Sequence, residues 1–230
     1  MTDPIQKLSR SVEDYLKAVF SLTERGEPAS TSAIAHALEV QPASVTGMIK
    51  RLAESGLLEH VPYRGVRLTD RGTREALGII RRHRILETYL VERLAYAWED
   101  VHAEAERLEH AASDQLIERM ANALEDPSHD PHGAPIPTPT GEIETTDFAT
   151  LADTPLGQNV HIRAVADEDP ERLRYMEAKG LLPGVRLRVV GREPPAGPVT
   201  VRVSGSRGPD QVVGRELASR IFVGGEPESS

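Results

Sequence analysis

The chain has no cysteine. Disulfides, zinc ribbons and thiol catalysis are therefore excluded. It also lacks any run of about 18 apolar residues, so no membrane span is expected. The opening MTDPIQKLSRSVEDYL carries acids and no apolar stretch; no signal peptide is expected there, and the cytoplasm is the expected compartment. Aromatic residues are scarce, with one Trp and three Phe. Since no Trp follows Trp98, an aromatic proline-binding groove in the C-terminal part is not expected. There is no H-E-x-x-H, no G-x-S-x-G and no glycine-rich phosphate loop, so the chain does not read as an enzyme. A basic excess is missing too, the net charge being −9.

That charge is unevenly spread. Residues 1–75 balance at ten Lys/Arg and ten Asp/Glu, and residues 151–230 balance at eleven each. Residues 76–125 hold six basic against ten acidic, and residues 126–150 none against five. The acidic excess thus sits in the middle. Within 41–74 there are six basic residues and three acidic ones, a local positive face suited to a nucleic-acid reader.

A length of 230 residues predicts two or three small domains. Residues 9–24 have helical periodicity, with Val12, Tyr15, Leu16, Val19 and Phe20 on one stripe and Asp14 on the other side. A short helix follows over 31–38, capped by Ser30 or Thr31. Pro42 opens the next helix and Gly56 can close it. Two short β-runs around Tyr63-Arg64-Gly65 then complete the order of a winged helix-turn-helix. In that fold Gln41, Pro42, Ala43, Ser44 and Thr46 form the exposed first turn of the recognition helix. Lys50, Arg51, Arg64 and Arg67 are placed to hold phosphates.

Residues 73–96 read as a helix whose apolar stripe contains His83 and Glu87, one turn apart. These could be a satisfied core pair or metal ligands. Residues 101–124 read as one long helix. On it His102, Glu106, Glu109 and His110 share a face, at spacings i, i+4, i+7 and i+8, and that face runs on into Ile117, Met120 and Leu124. Carboxylates on a face that enters the interior need a cationic partner, which a divalent ion would supply. Residues 125–145 hold five prolines and two glycines without periodicity and read as a linker, with His129, Asp130 and His132 inside it. After Leu151, five short strands and one helix capped by Asp169 predict a small SH3-like barrel, and the tail GGEPESS reads as disordered.

The motifs SVEDYLKAVF, RRHRILETYL, VHAEAERLEHAASD and DPHGAPIP, in this order, resemble the diphtheria-toxin-repressor family of metal-dependent transcription repressors, over nearly the whole chain. The resemblance implies a mainly α protein with small β parts. Residues 1–74 would be a winged helix-turn-helix domain, 75–125 a helical metal-binding and dimerisation domain, 126–150 a linker and 151–226 a C-terminal SH3-like (FeoA-type) β-barrel. It implies a primary metal site of Asp14, His83, Glu106, Glu109 and His110. It further implies a secondary metal site from Glu87, His102, Asp130 and His132, with Asp169 as the acid from the barrel. Iron-type members carry softer sulfur ligands where Asp14 and Glu106 stand, so an oxygen-and-imidazole set favours a hard cation such as manganese(II). Lys17 replaces a second acid found in some manganese members, which argues against their style of binuclear cluster.

The function this implies is manganese(II)-dependent repression of metal-uptake genes by a homodimer on a palindromic DNA operator. The cation would tie the DNA-binding domain to the dimerisation helices. An iron(II)-dependent regulator of the same family, or a winged-helix regulator sensing an organic ligand, are the alternatives.

Overall fold

The computed structural model describes residues 8–24, 26–145, 147–166, 169–194, 196–205 and 208–225. The chain divides into two compact units: residues up to 83 together with 137–143, and residues 84–136 together with those from 144 onward.

The first unit contains α1 (Arg10–Thr23), α2 (Thr31–Ala37), α3 (Pro42–Glu54), the hairpin β1 (Leu58–Val61) and β2 (Gly65–Leu68), and the start of α4 (Asp70–Leu94). Local chemistry sets these boundaries. Ser30 Oγ accepts the Ala33 amide at 3.1 Å to start α2. Pro42 sits at the first position of α3, and Gly56, at φ +69°, takes the left-handed turn beyond its end. β1 and β2 pair antiparallel from Leu58↔Leu68 to Val61↔Gly65. Leu16, Val19, Ile34, Val45, Leu52 and Val66 fill the core beneath these elements. This is the winged helix-turn-helix expected from the sequence.

In the second unit the stretch expected as one helix over 101–124 is two: α5 (Val101–Leu108) and α6 (Asp114–Ala123). Ser113 is the cause. Its backbone is extended and its side chain accepts the Leu116 amide at 3.3 Å, so it caps a new helix, with Asp114 in the first turn. Glu109 and His110 therefore close α5 instead of lying mid-helix, and Ile117 belongs to a separate face. Ile85, Leu86, Ala105, Ile117 and Ala121 form the helical core, joined by Ile136 from the connector.

The proline-rich segment is not a free spacer. Ile136 is buried, its amide donates to Ser128 O, and Asp130 N donates to Ala134 O. The segment also ends in a strand, β3 (Ala149–Thr150). It joins β4 (Asn159–Val165), β5 (Arg186–Arg192), β6 (Val199–Val203), β7 (Gln211–Val213) and β8 (Ile221–Gly225), with α7 (Pro170–Ala178) after β4 and α8 (Arg215–Ala218) before β8. The order is β3-β8-β4-β5-β6-β7, six strands instead of five. All pairs are antiparallel, and register shifts at Ile162/Ala164 and Val189/Gly191 bend the sheet around its core. Gly224 and Gly225, read as the start of a disordered tail, belong to β8; residues 226–230 lie outside the described residues. No described helix is long and apolar enough to cross a membrane.

Candidate metal centre and nucleic-acid interface

Of the primary set, Asp14 stands half-buried on α1 and His83 is buried on α4. Beside Asp14, Glu13 is only 3% exposed and accepts Arg82 Nη2 at 2.7 Å. The sequence reading passed over this pair. In the second unit, the end of α5 brings Glu106, Glu109 and His110 together, each offering a ligand atom within 4.8 Å of the others'. Glu109 is 1% exposed, and its Oε1 lies 3.4 Å from His110 Nε2.

The second set gathers around Glu87, which is 2% exposed. His102 Nδ1 lies 3.1 Å from its Oε1, and His132 Nδ1 lies 3.9 Å from its Oε2. Glu87, Asp130 and His132 each place a ligand atom within 4.8 Å of the others'. Asp130 begins a tight turn: its Oδ1 accepts the amides of His132 and Ala134 at 2.8 and 2.9 Å, and Arg84 Nε lies 3.5 Å from Oδ2. Arg84 Nη1 also donates to Pro135 O at 2.5 Å. Burial first, and then the Glu87 carboxylate, hold the Asp130 carboxyl above the ordinary range, against the pull of Arg84 and His132. Two buried carboxylates facing each other across imidazoles are a donor set that a divalent cation fits, by charge and by ligand type. The cradle is closed by Gly133. At φ +85°, a Cβ there would stand 2.1 Å from Arg163 O, and the His132 carbonyl next to it accepts the Val165 amide at 2.8 Å. The turn is thus pinned to β4.

Asp169 does something else. It caps α7, its Oδ1 accepting the amides of Glu171 and Arg172 at 2.9 and 3.3 Å, and those bonds lower its pKa. The group around Glu87 does not include it. His129 points elsewhere as well, with Ser128 Oγ at 2.9 Å and Glu144 Oε2 at 3.4 Å.

On the winged helix, Gln41, the N-cap of α3, and Pro42, Ala43, Ser44, Thr46, Lys50 and Arg51 on it are all exposed. The first turn is small and polar, and the basic pair lies further along. Arg64 and Arg67 of the hairpin reach back to the α1–α2 loop, Arg64 to the Glu27 carboxylate and Arg67 to the Gly26 carbonyl. Tyr63, at the hairpin tip, is fully exposed with φ 62°. The sequence showed it only as part of a turn.

Three family models match in order: the iron dependent repressor N-terminal DNA binding domain over residues 7–66, its metal binding and dimerisation domain over 69–138, and the FeoA domain over 149–224. The iron-dependent repressor IdeR of Mycobacterium leprae is 30% identical over 207 residues, covering 85% of this chain and 89% of that protein. A manganese-dependent transcriptional repressor solved in complex with manganese is 38% identical with a TM-score of 0.85, covering 92% of this chain and 98% of that one. The manganese regulator SloR is 31% identical with a TM-score of 0.76, covering 94% and 98%. The three domains thus match in order over nearly the whole chain, relatives at 30–38% identity are covered almost end to end, and the chain belongs to the diphtheria-toxin-repressor family of metal-dependent transcription repressors.

Proposed function

We propose that the protein is a manganese(II)-dependent repressor of metal-uptake genes, acting in the cytoplasm as a homodimer on a palindromic operator. One observation carries the choice of metal. Glu106, Glu109 and His110 converge with oxygen and imidazole donors, in a chain that has no cysteine to add a soft ligand. Two solved relatives, a manganese-dependent transcriptional repressor and the manganese regulator SloR, support this choice. The full-length resemblance to iron-dependent IdeR keeps iron(II) as the second reading.

Asp14 and His83 complete the primary set by family resemblance. Glu87, His102, Asp130 and His132 form a second set. When bound, the cation would supply the positive charge that the three carboxylates of the primary set lack. Asp14 comes from the DNA-binding domain and the other acids from the dimerisation helices, so ligation restricts the range of spacings between the two recognition helices. That favours half-sites about one helical turn, roughly 34 Å, apart. Leu94, Leu108 and Leu116 are exposed on α4, α5 and the start of α6, and we assign these apolar side chains to the surface that the second protomer covers.

The test is operator binding titrated with manganese, iron, zinc and cobalt against metal-free protein. Manganese is expected to give full stimulation at the lowest excess over its occupancy. Iron outranking manganese would select the second reading, and no metal dependence would refute both. Asp14→Ala is expected to abolish metal stimulation while leaving the dimer intact.

A further inference from the structure

Trp98 is the only tryptophan in the chain. It lies between α4 and α5 and makes three contacts at once. Its indole is 8% exposed and belongs to the apolar core of the C-terminal sheet, with Leu151, Val160, Leu173 and Met176. The same ring stacks on His132, with centroids 5.3 Å apart and planes at 28°. Its backbone carbonyl lies 2.9 Å from His132 Nε2. The indole Nε1 is buried without a hydrogen-bond partner among the described residues.

A carbonyl oxygen only accepts, so His132 Nε2 must carry the proton in this contact. In the neutral ring the free lone pair is then on Nδ1. That nitrogen faces Glu87 Oε2 at 3.9 Å. A ligating histidine commonly hands its other N–H to a carbonyl, which fixes both tautomer and ring orientation.

We propose that Trp98 is a positioning residue for the second metal site. Its indole, anchored in the C-terminal core and stacked on His132, fixes the carbonyl that takes the Nε2 proton, so that the ring presents Nδ1 to the cation. The FeoA-type domain thereby acts on this site without supplying a ligand. The inference rests on the reading of Glu87, Asp130 and His132 as a metal site.

The test uses full-length protein labelled with 15N-histidine, with zinc(II) as a diamagnetic probe. It is run on wild type, Trp98→Phe and Trp98→Ala, each carrying Glu109→Gln to silence the first site. Metal-free His132, identified by its loss in His132→Gln, is expected as the Nε2–H tautomer, and zinc is expected to shift Nδ1. Trp98→Phe keeps the ring stack and should keep tautomer and affinity. Trp98→Ala should mix the tautomers and weaken second-site zinc binding by about 10- to 100-fold. An Nδ1–H tautomer in the wild type, or unchanged zinc affinity in Trp98→Ala, overturns the positioning role. If zinc moves neither His132 nitrogen in the wild type, the second-site reading itself fails. The wild-type and Trp98→Phe spectra decide the matter should Trp98→Ala not fold.

Discussion

Glu87 Oε1 and His102 Nδ1 lie 3.1 Å apart, with the carboxylate almost wholly buried. The contact joins α4 to α5 and leaves the other carboxylate oxygen facing His132. Glu87→Gln keeps the shape but removes the charge a cation needs. Second-site manganese affinity, read by equilibrium dialysis, is expected to fall at least about 10-fold while the first site is unchanged. Since the charge near Asp130 also disappears, the metal-free protein is expected to melt no lower than wild type.

In the proposed primary set Glu106 would supply an oxygen where a sulfur ligand would suit softer ions. Glu106→Cys is expected to move the metal ranking toward iron and other softer cations. The check is a titration of operator affinity with each metal; an unchanged ranking would remove Glu106 from the ligand set.

Much of the candidate site was legible because side chains one turn apart leave a periodic trace. The spacing of Glu106, Glu109 and His110 survives in the structure even though the helix ends there, because 106–110 still covers a single turn. What the trace hid was the break at Ser113. An apolar stripe continued past it by coincidence of spacing, and one capping serine outweighed it. The connector misled in the opposite direction. Its prolines carry no periodicity, yet Asp130 ties two amides into a turn, and that turn packs through Gly133 against a strand thirty residues later. Such a contact depends on tertiary approach and leaves no local signal. Trp98 escaped for the same reason: its stacking partner lies 34 positions on.

Lys50 is exposed on α3, its ammonium 4.0 Å from the Glu54 carboxylate. An exposed pair at that distance contributes little to folding. Lys50→Ala is therefore expected to leave the melting temperature unchanged. It should weaken operator and non-operator DNA alike and lower the slope of log affinity against log salt by about one unit. Loss of discrimination between sequences would instead make Lys50 a base-reading residue.

Gly133 is expected to tolerate no side chain. Alanine there meets the Arg163 carbonyl, a backbone atom that cannot swing aside, at a positive φ that already disfavours it. The strain and the lost Val165–His132 backbone bond together amount to roughly 2 kcal/mol. Gly133→Ala should thus free the turn from β4. Faster limited proteolysis between residues 125 and 148 and weaker second-site metal binding are the expected readouts, with the dimer retained.

Asp130 gives the metal-free protein a pH dependence of defined sign. Its carboxyl is raised in the folded state by burial and by Glu87, whereas in the unfolded chain it titrates near about 3.9. Between those values the folded protein holds the extra proton, so stability falls as pH rises through the window and is recovered on acidification. Asp130→Asn, which is neutral throughout, removes this contribution. Wild type minus variant, measured by denaturant unfolding of the metal-free proteins, is expected to grow more favourable to wild type as pH drops from neutrality toward the ordinary carboxylate range. Saturating manganese should reverse that trend, since a ligating carboxylate must be ionised and the cation then competes with the proton. A flat difference without metal would mean that Arg84 and the turn amides already compensate the charge.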